Sequence, residues 1–151
     1  MGKNREGAET TEVSGYRLQL TLVDLIDLAL QMQHVRWNLF GEPALRAQLD
    51  DFDALVRAGA DTVAGGLREL GVPPDGRIGT AYHDLLFQPV PSGPLDAQSA
   101  VVALSNRLNQ FGGRISESLD IIGPTDPGSR SILETLNAEI LRWTETFTVD
   151  Q

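Results

Sequence analysis

Cysteine is absent from the 151 residues, which excludes disulfides, thiolate nucleophiles and cysteine-based zinc sites and fits a reducing compartment. Lysine is nearly as scarce. Of the 12 basic residues only Lys3 is a lysine, and 21 acidic residues bring the formal charge to −9, so docking on nucleic-acid phosphates by charge alone starts at a disadvantage. No apolar run is long enough for a bilayer: Leu18 to Leu30 is interrupted by Asp24 and Asp27. Met1 to Gly15 is polar and mildly acidic, unlike a signal peptide or a basic DNA-binding arm. There is no G-x-S-x-G, no P-loop and no G-x-G-x-x-G, so nucleophilic and nucleotide-binding chemistry has no motif to rest on. These absences read as one cytoplasmic domain, long enough to bury a core unaided.

What is present is helical spacing. Leu18, Leu22, Leu25, Ala29, Met32 and Leu39 lie on one face and predict helix A from Ser14 to Phe40, with residues 1–13 a flexible tail. Gly41 stops it. Pro43 opens helix B, whose face runs Leu45, Leu49, Phe52, Val56, Val63, Leu67 and Leu70 before Gly71, Pro73 and Pro74. Val72 to Pro94 reads as a long crossover carrying one short helix around the apolar run Tyr82 to Phe87. Asp96 caps helix C, whose face is Val101, Leu104, Leu108, Phe111, Ile115, Leu119 and Ile122, and Asp126 with Pro127 starts helix D, faced by Leu133, Leu136, Ile140, Trp143 and Phe147. The expectation is an all-α, ferritin-like four-helix bundle over residues 14–148, with residues 149–151 as a C-terminal end. Helix A also carries Leu20, Val23, Ile26, Leu28 and Leu30 off its core stripe, where a partner subunit is expected to pack.

One residue breaks the pattern. The helix A stripe continued by four from Met32 lands on Arg36, and a guanidinium taken out of water needs a carboxylate or several carbonyls. Helix B offers Asp50, Asp53 and Asp61 interleaved with Arg46, Arg57 and Arg68. That face reads either as solvated, weak ion pairs or as an interface or altered metal site.

The stretch Ile26 to Gly41, IDLALQMQHVRWNLFG, resembles the helix A signature of the Dps family, which ends in H-W-N-x-x-G; Trp37, Asn38 and Gly41 match it and Arg36 stands in the histidine place. Asp61, Ala64, Leu70 and Gly71 match the family's D-x-x-A-E-R-x-x-x-L-G, with Gly65 and Gly66 replacing its Glu and Arg, and Asp126, Ile132, Leu133 and Trp143 resemble its last helix. The resemblance implies a hollow dodecamer that oxidises and stores iron and often binds DNA in starved bacteria, hence stress protection and nucleoid association. Direct DNA binding is expected to be weak, because the ends are acidic and lysine is nearly missing.

In that family the oxidation site lies between two-fold-related subunits and uses two His, two Asp and one Glu, ligands suited to Fe(II). Carried over, with two residues deleted after Gly41, the resemblance implies Arg36 and Arg46 at the histidine places, Asp50 and Asp61 as retained carboxylates, and Gly65 at the Glu. Repulsion between a guanidinium and a divalent ion at contact is on the order of several kcal/mol at an effective dielectric near 20. The expectation is that Asp50 and Asp61 bind Arg36 and Arg46 across the subunit interface in place of iron, that iron binds weakly or at a non-standard site, and that no catalytic residue can be named.

The resemblance also places Asp126, with Asp120 and Glu117 nearby, at a three-fold cation pore, while Asp126 equally reads as a helix cap. Trp37, beside the site, and Trp143 read as packing residues, although a tryptophan near the family's iron site can take oxidising equivalents. His34 and His83 read as packed or surface residues rather than ligands. Two functions compete: an iron-oxidising, iron-storing mini-ferritin with an impaired centre, and a non-enzymatic structural or DNA-shielding cage, or one that co-assembles with an active relative.

Overall fold

A computed structural model describes residues 2–83 and 90–147. Helix α1 spans Gly2–Asn38, α2 Pro43–Glu69, α3 Ile78–His83, α4 Ala97–Ile122 and α5 Pro127–Thr146, with a single 3-10 turn at Gly123–Thr125 between the last two. Each of α1 and α5 packs on both α2 and α4, which closes a four-helix bundle. The expected all-α architecture with a long crossover is the one found, and among the described residues the crossover carries the short helix α3, which starts before the expected run. Most of the apolar run Tyr82 to Phe87, and residues 149–151, lie outside the described residues.

Helix α1 starts at Gly2 rather than Ser14 and ends at Asn38 rather than Phe40. The segment expected to be a tail is helical because it contains no proline and repeats Glu at positions 6, 9 and 12, and it runs along a groove shared with Leu70, Ile121 and Ile122. The turn to α2 is tight: Gly41 and Glu42 both take left-handed backbone, at φ 77° and 54°, and Pro43 then sits in the first turn. Asp96 caps α4 by accepting from the Ser99 N–H at 2.7 Å, and Asp126 caps α5 by accepting from the Ser129 N–H at 3.1 Å.

The crossover is strapped along α1. The Gln19 side chain donates to the Asp75 carbonyl and accepts from the Asp75 N–H, both at 2.9 Å. Gln31 accepts from the Val90 N–H at 3.0 Å, His34 Nε2 donates to the Pro91 carbonyl at 3.1 Å, and Leu95 N donates to the Asn38 carbonyl at 2.8 Å. Part of the extra apolar surface of α1 is already covered inside the chain. Val23 and Leu28 are buried within the single chain, Leu20 and Ile26 are half-buried, and only Leu30 is exposed.

Most of the buried charge in the core lies along the seam between α1 and α4. There Asp24 meets Arg114 Nε at 3.0 Å, Asp27 meets Arg107, and Arg17 Nε donates to Ser118 Oγ at 2.8 Å. All six are buried. The partners run in opposite chain directions, which fixes the antiparallel register of the two helices. Burial pushes the Asp24 carboxyl up to about 7 against the pull of Arg114, and moves Asp27 in the same direction against Arg107.

Two outcomes follow for this seam. Replacing Arg107 by Leu leaves the Asp27 charge buried without its counter-ion, a loss of about 3–5 kcal/mol in urea unfolding, whereas Arg107→Leu with Asp27→Leu recovers most of it. For Asp24, a folded-state value above the ordinary 3.8 gives a stabilising contribution that is complete at low pH and is lost as pH rises to about 7. Unfolding at pH 4.5 and 7.5 is therefore expected to move against the wild type, relative to Asp24→Asn, as pH increases.

Candidate functional site

The antiparallel packing of α1 on α2 places the C-terminal turn of α1 beside the first turns of α2. Arg36 there is only partly exposed, and its Nη1 lies 2.9 Å from Asp50 Oδ1 and 3.6 Å from Asp53 Oδ2. Asp53 Oδ2 also accepts from Arg57 Nε at 2.9 Å, one turn along α2. The result is a chain of alternating charge, Asp50, Arg36, Asp53, Arg57. Asp53 is its pivot. Its side chain is 12% exposed against 66% for Asp50, and its Oδ1 is buried with no hydrogen-bond partner among the described residues.

Set beside the expectations, Arg36 and Asp50 do meet, but within one chain rather than across a subunit boundary. The turn at Gly41 and Glu42 is short enough to bring them together directly. Arg46 takes no aspartate in the chain; its Nη2 donates to the Leu39 carbonyl, near the end of α1. Asp61 is exposed and has no ion pair or hydrogen bond among the described residues, and an atom added at Gly65, one turn further on, would meet nothing. Asp53 was visible in the sequence as one charge of a periodic face. The signal separating it from its neighbours is its place two turns after Leu45 and one residue after the core residue Phe52, on the edge that α1 covers.

Histidine plays no part in this cluster. His34 is used on the crossover, and the side chain of His83 lies outside the described residues. Among the described residues no group of three or more His, Asp or Glu stands together as a metal-binding set within one chain. The two tryptophans differ. Trp143 packs as expected, with ring centroids 5.0 Å from Phe52 and 5.6 Å from Phe147, whereas Trp37 is 71% exposed and packs on nothing comparable in its own chain.

At the other end of the bundle, Asp126 accepts from the Ser129 hydroxyl at 2.7 Å as well as from its N–H. Partial burial works against the Asp126 charge, but these hydrogen bonds prevail and hold its carboxyl below the ordinary range. The cap and the negative charge are compatible roles. Asp120 is exposed close by, and Glu117 lies 3.7 Å from Arg17 Nη2. Among the described residues no helix is long and apolar enough to cross a membrane.

No protein-family model matches the chain. The fine tangled pili major subunit of Haemophilus ducreyi is 31% identical over 132 residues, which cover 83% of this chain and 69% of that protein. Among solved structures, Dps92 from Deinococcus radiodurans superposes with a TM-score of 0.88 at 26% identity, covering 92% of this chain and 86% of its own. A C-terminal deletion mutant of Mycobacterium smegmatis Dps gives 0.86 at 25% identity, covering 93% and 98%. Dps from Microbacterium arborescens, in a high iron form, gives 0.86 at 20% identity over 92% of each chain, a likeness of fold.

The charge chain makes its own prediction. Asp53→Ala leaves Arg57 without its carboxylate and Arg36 with Asp50 alone, and is expected to cost about 1–3 kcal/mol, while Asp50→Ala removes an exposed pair worth about 0–1 kcal/mol. Chemical denaturation of the two variants, compared at equal salt, checks the order.

Proposed function

The chain belongs to the Dps family, and from that premise we propose that it is the subunit of a hollow dodecameric mini-ferritin, serving iron storage and stress protection, in which ion pairs occupy the inter-subunit oxidation centre. Iron in this reading is cargo and substrate. The observation that carries the reading is the Arg36 guanidinium 2.9 Å from Asp50, one of the two carboxylates at the family's ligand places. Asp50 is neutralised by a group that never deprotonates, and an incoming Fe(II) would have to displace it.

The rest of the ligand set supports the same conclusion. Arg46 and Gly65 supply no ligand, and Asp61 is left as a single carboxylate, too few for a two-iron centre. Iron then reaches the interior without rapid oxidation at this place. Asp126 and Asp120, both negative near the start of α5, supply the charge for a cation funnel at the three-fold corner. DNA shielding, if added to this role, has to use arginines or bridging cations, since the chain carries one lysine and a net charge of −9.

A second reading, a purely structural cage, is favoured by the relative that is named as a pilus subunit. The two part at iron uptake, because a structural cage takes up none.

Anaerobic Fe(II) loading followed by peroxide, monitored in the near ultraviolet, tests the proposal. The wild type is expected to lack a fast saturable phase. Arg36→His, Arg46→His and Gly65→Glu together are expected to raise the initial rate by roughly ten- to a hundredfold, the scale on which ligand surroundings alter metal sites. A fast phase in the wild type, abolished by Asp50→Ala or Asp61→Ala, overturns it.

A further inference from the structure

We infer that the exposed face of α4, beside the crossover, binds an extended, uncharged segment of another polypeptide and holds it by its backbone through the side-chain amides of Gln98, Asn106, Asn109 and Gln110. This goes beyond the iron reading and does not depend on it, because none of these residues belongs to the charge chain between α1 and α2.

The first observation is a missing charge. Between Ala97 and Ser116 the only charged residues are Arg107 and Arg114, and both are buried against Asp27 and Asp24 of α1. The exposed face of α4 is therefore neutral over about five turns, in a chain whose net charge is −9. Depletion of charge marks the centre of an interface, and it also removes any anchor for a phosphate or a nucleic acid. On this face an open groove of about 770 Å³ lies between α4 and Val90 and Pro91 of the crossover. Gln98, Val102, Asn106 and Asn109, all exposed, step by 4, 4 and 3 along it.

The second observation is what amides already do in this chain, and it names the occupant. Gln19 of α1 clasps the Asp75 backbone, donating to its carbonyl and accepting from its N–H, and Gln31 accepts from the Val90 N–H. Both hold the crossover by its main chain. The four amides of α4 present the same donor and acceptor pair, and no hydrogen bond joins them to another described residue. Their spacing suits a strand. Along the helix axis Gln98, Asn106 and Gln110 rise by about 12 Å and then about 6 Å, close to two repeats and one repeat of the roughly 6.7 Å between same-side residues of an extended chain. Val102 and Ala103, with Val90 opposite, give the groove an apolar floor for every second side chain of such a strand. No aromatic ring stands among the described lining residues, so the stacking surface that a sugar or a base would use is missing.

A capped heptapeptide of alternating valine and serine, titrated into the full-length protein and followed by saturation-transfer NMR, tests the groove. The wild type is expected to bind it saturably with Kd below about 1 mM. Asn106→Ala with Asn109→Ala removes two of the backbone clasps, and Val102→Lys sets a charge in the floor; each is expected to weaken binding at least about tenfold. All three positions are exposed, so the variants keep the fold, and circular dichroism checks their helix content. The same peptide N-methylated at alternate residues has lost the N–H groups on one side and is expected to bind at least about tenfold more weakly. Maltoheptaose, a neutral chain without amides, is expected not to bind. Absence of saturable peptide binding to the wild type, equal binding by the folded double variant, undiminished binding of the N-methylated peptide, or binding of maltoheptaose in place of the peptide overturns the proposal and leaves the iron reading standing. Rapid iron oxidation by the wild type would overturn the iron reading and leave the groove standing.

Discussion

A guanidinium cannot shed its proton inside a protein, so every arginine this bundle takes out of water must bring its own compensation with it. The chain does this repeatedly. Between α1 and α4, Arg107 and Arg114 are compensated by Asp27 and Asp24 in the otherwise apolar core. Between α1 and α2, Arg36 is compensated by Asp50 and Asp53 at the edge. The first set costs more to bury and gains less in net stability, because desolvation offsets most of the attraction; what it adds is register, since a helix shifted by one turn would leave both charges unpaired. The second set stands nearer to solvent and is cheaper to place.

The fold was legible because its signals are local and repeated. Apolar residues three and four apart along the four main helices, the Gly41 and Gly71 stops, and the caps Asp96 and Asp126 each act within a turn or two of chain and need no tertiary information. The start of α1 was not legible on the same ground, because a polar, glutamate-bearing segment has helix propensity without an apolar stripe to announce it. Arg36 was identifiable as an anomaly because it interrupts a stripe. Asp24 and Asp27 interrupt a stripe too, yet they read only as breaks in an apolar run, since their partners lie 90 and 80 residues away on α4 and Arg107 and Arg114 sit in no pattern that points back to them.

The candidate site divides in the same way. That Asp50 would meet Arg36 could be expected from chemistry; that they would meet inside one chain depends on the short αL turn at Gly41 and Glu42, which no charge pattern encodes. Trp37 shows the converse. It was read as packing, and within its own chain it does not pack, because α1 ends with its outer side facing away from every other element of the bundle. Helical spacing places an aromatic on a face but does not say whether another element of the chain covers that face.

On the proposed reading, exchanging a metal for ion pairs alters what the assembly responds to. A seam that binds metal is linked to metal supply, since any ligand held only by the assembled state stabilises it in proportion to the logarithm of ligand concentration over Kd. A seam of guanidinium and carboxylate has no such linkage. Its partners are always present at unit stoichiometry, and the external variable that acts on it is ionic strength, which screens exposed pairs over about 8–10 Å. Arg36, paired at 2.9 Å and only partly exposed, is screened less than a charge standing free in solvent. On the proposed reading a subunit built this way assembles before iron arrives and stays assembled when it is withdrawn, which separates construction of the container from the chemistry of its contents.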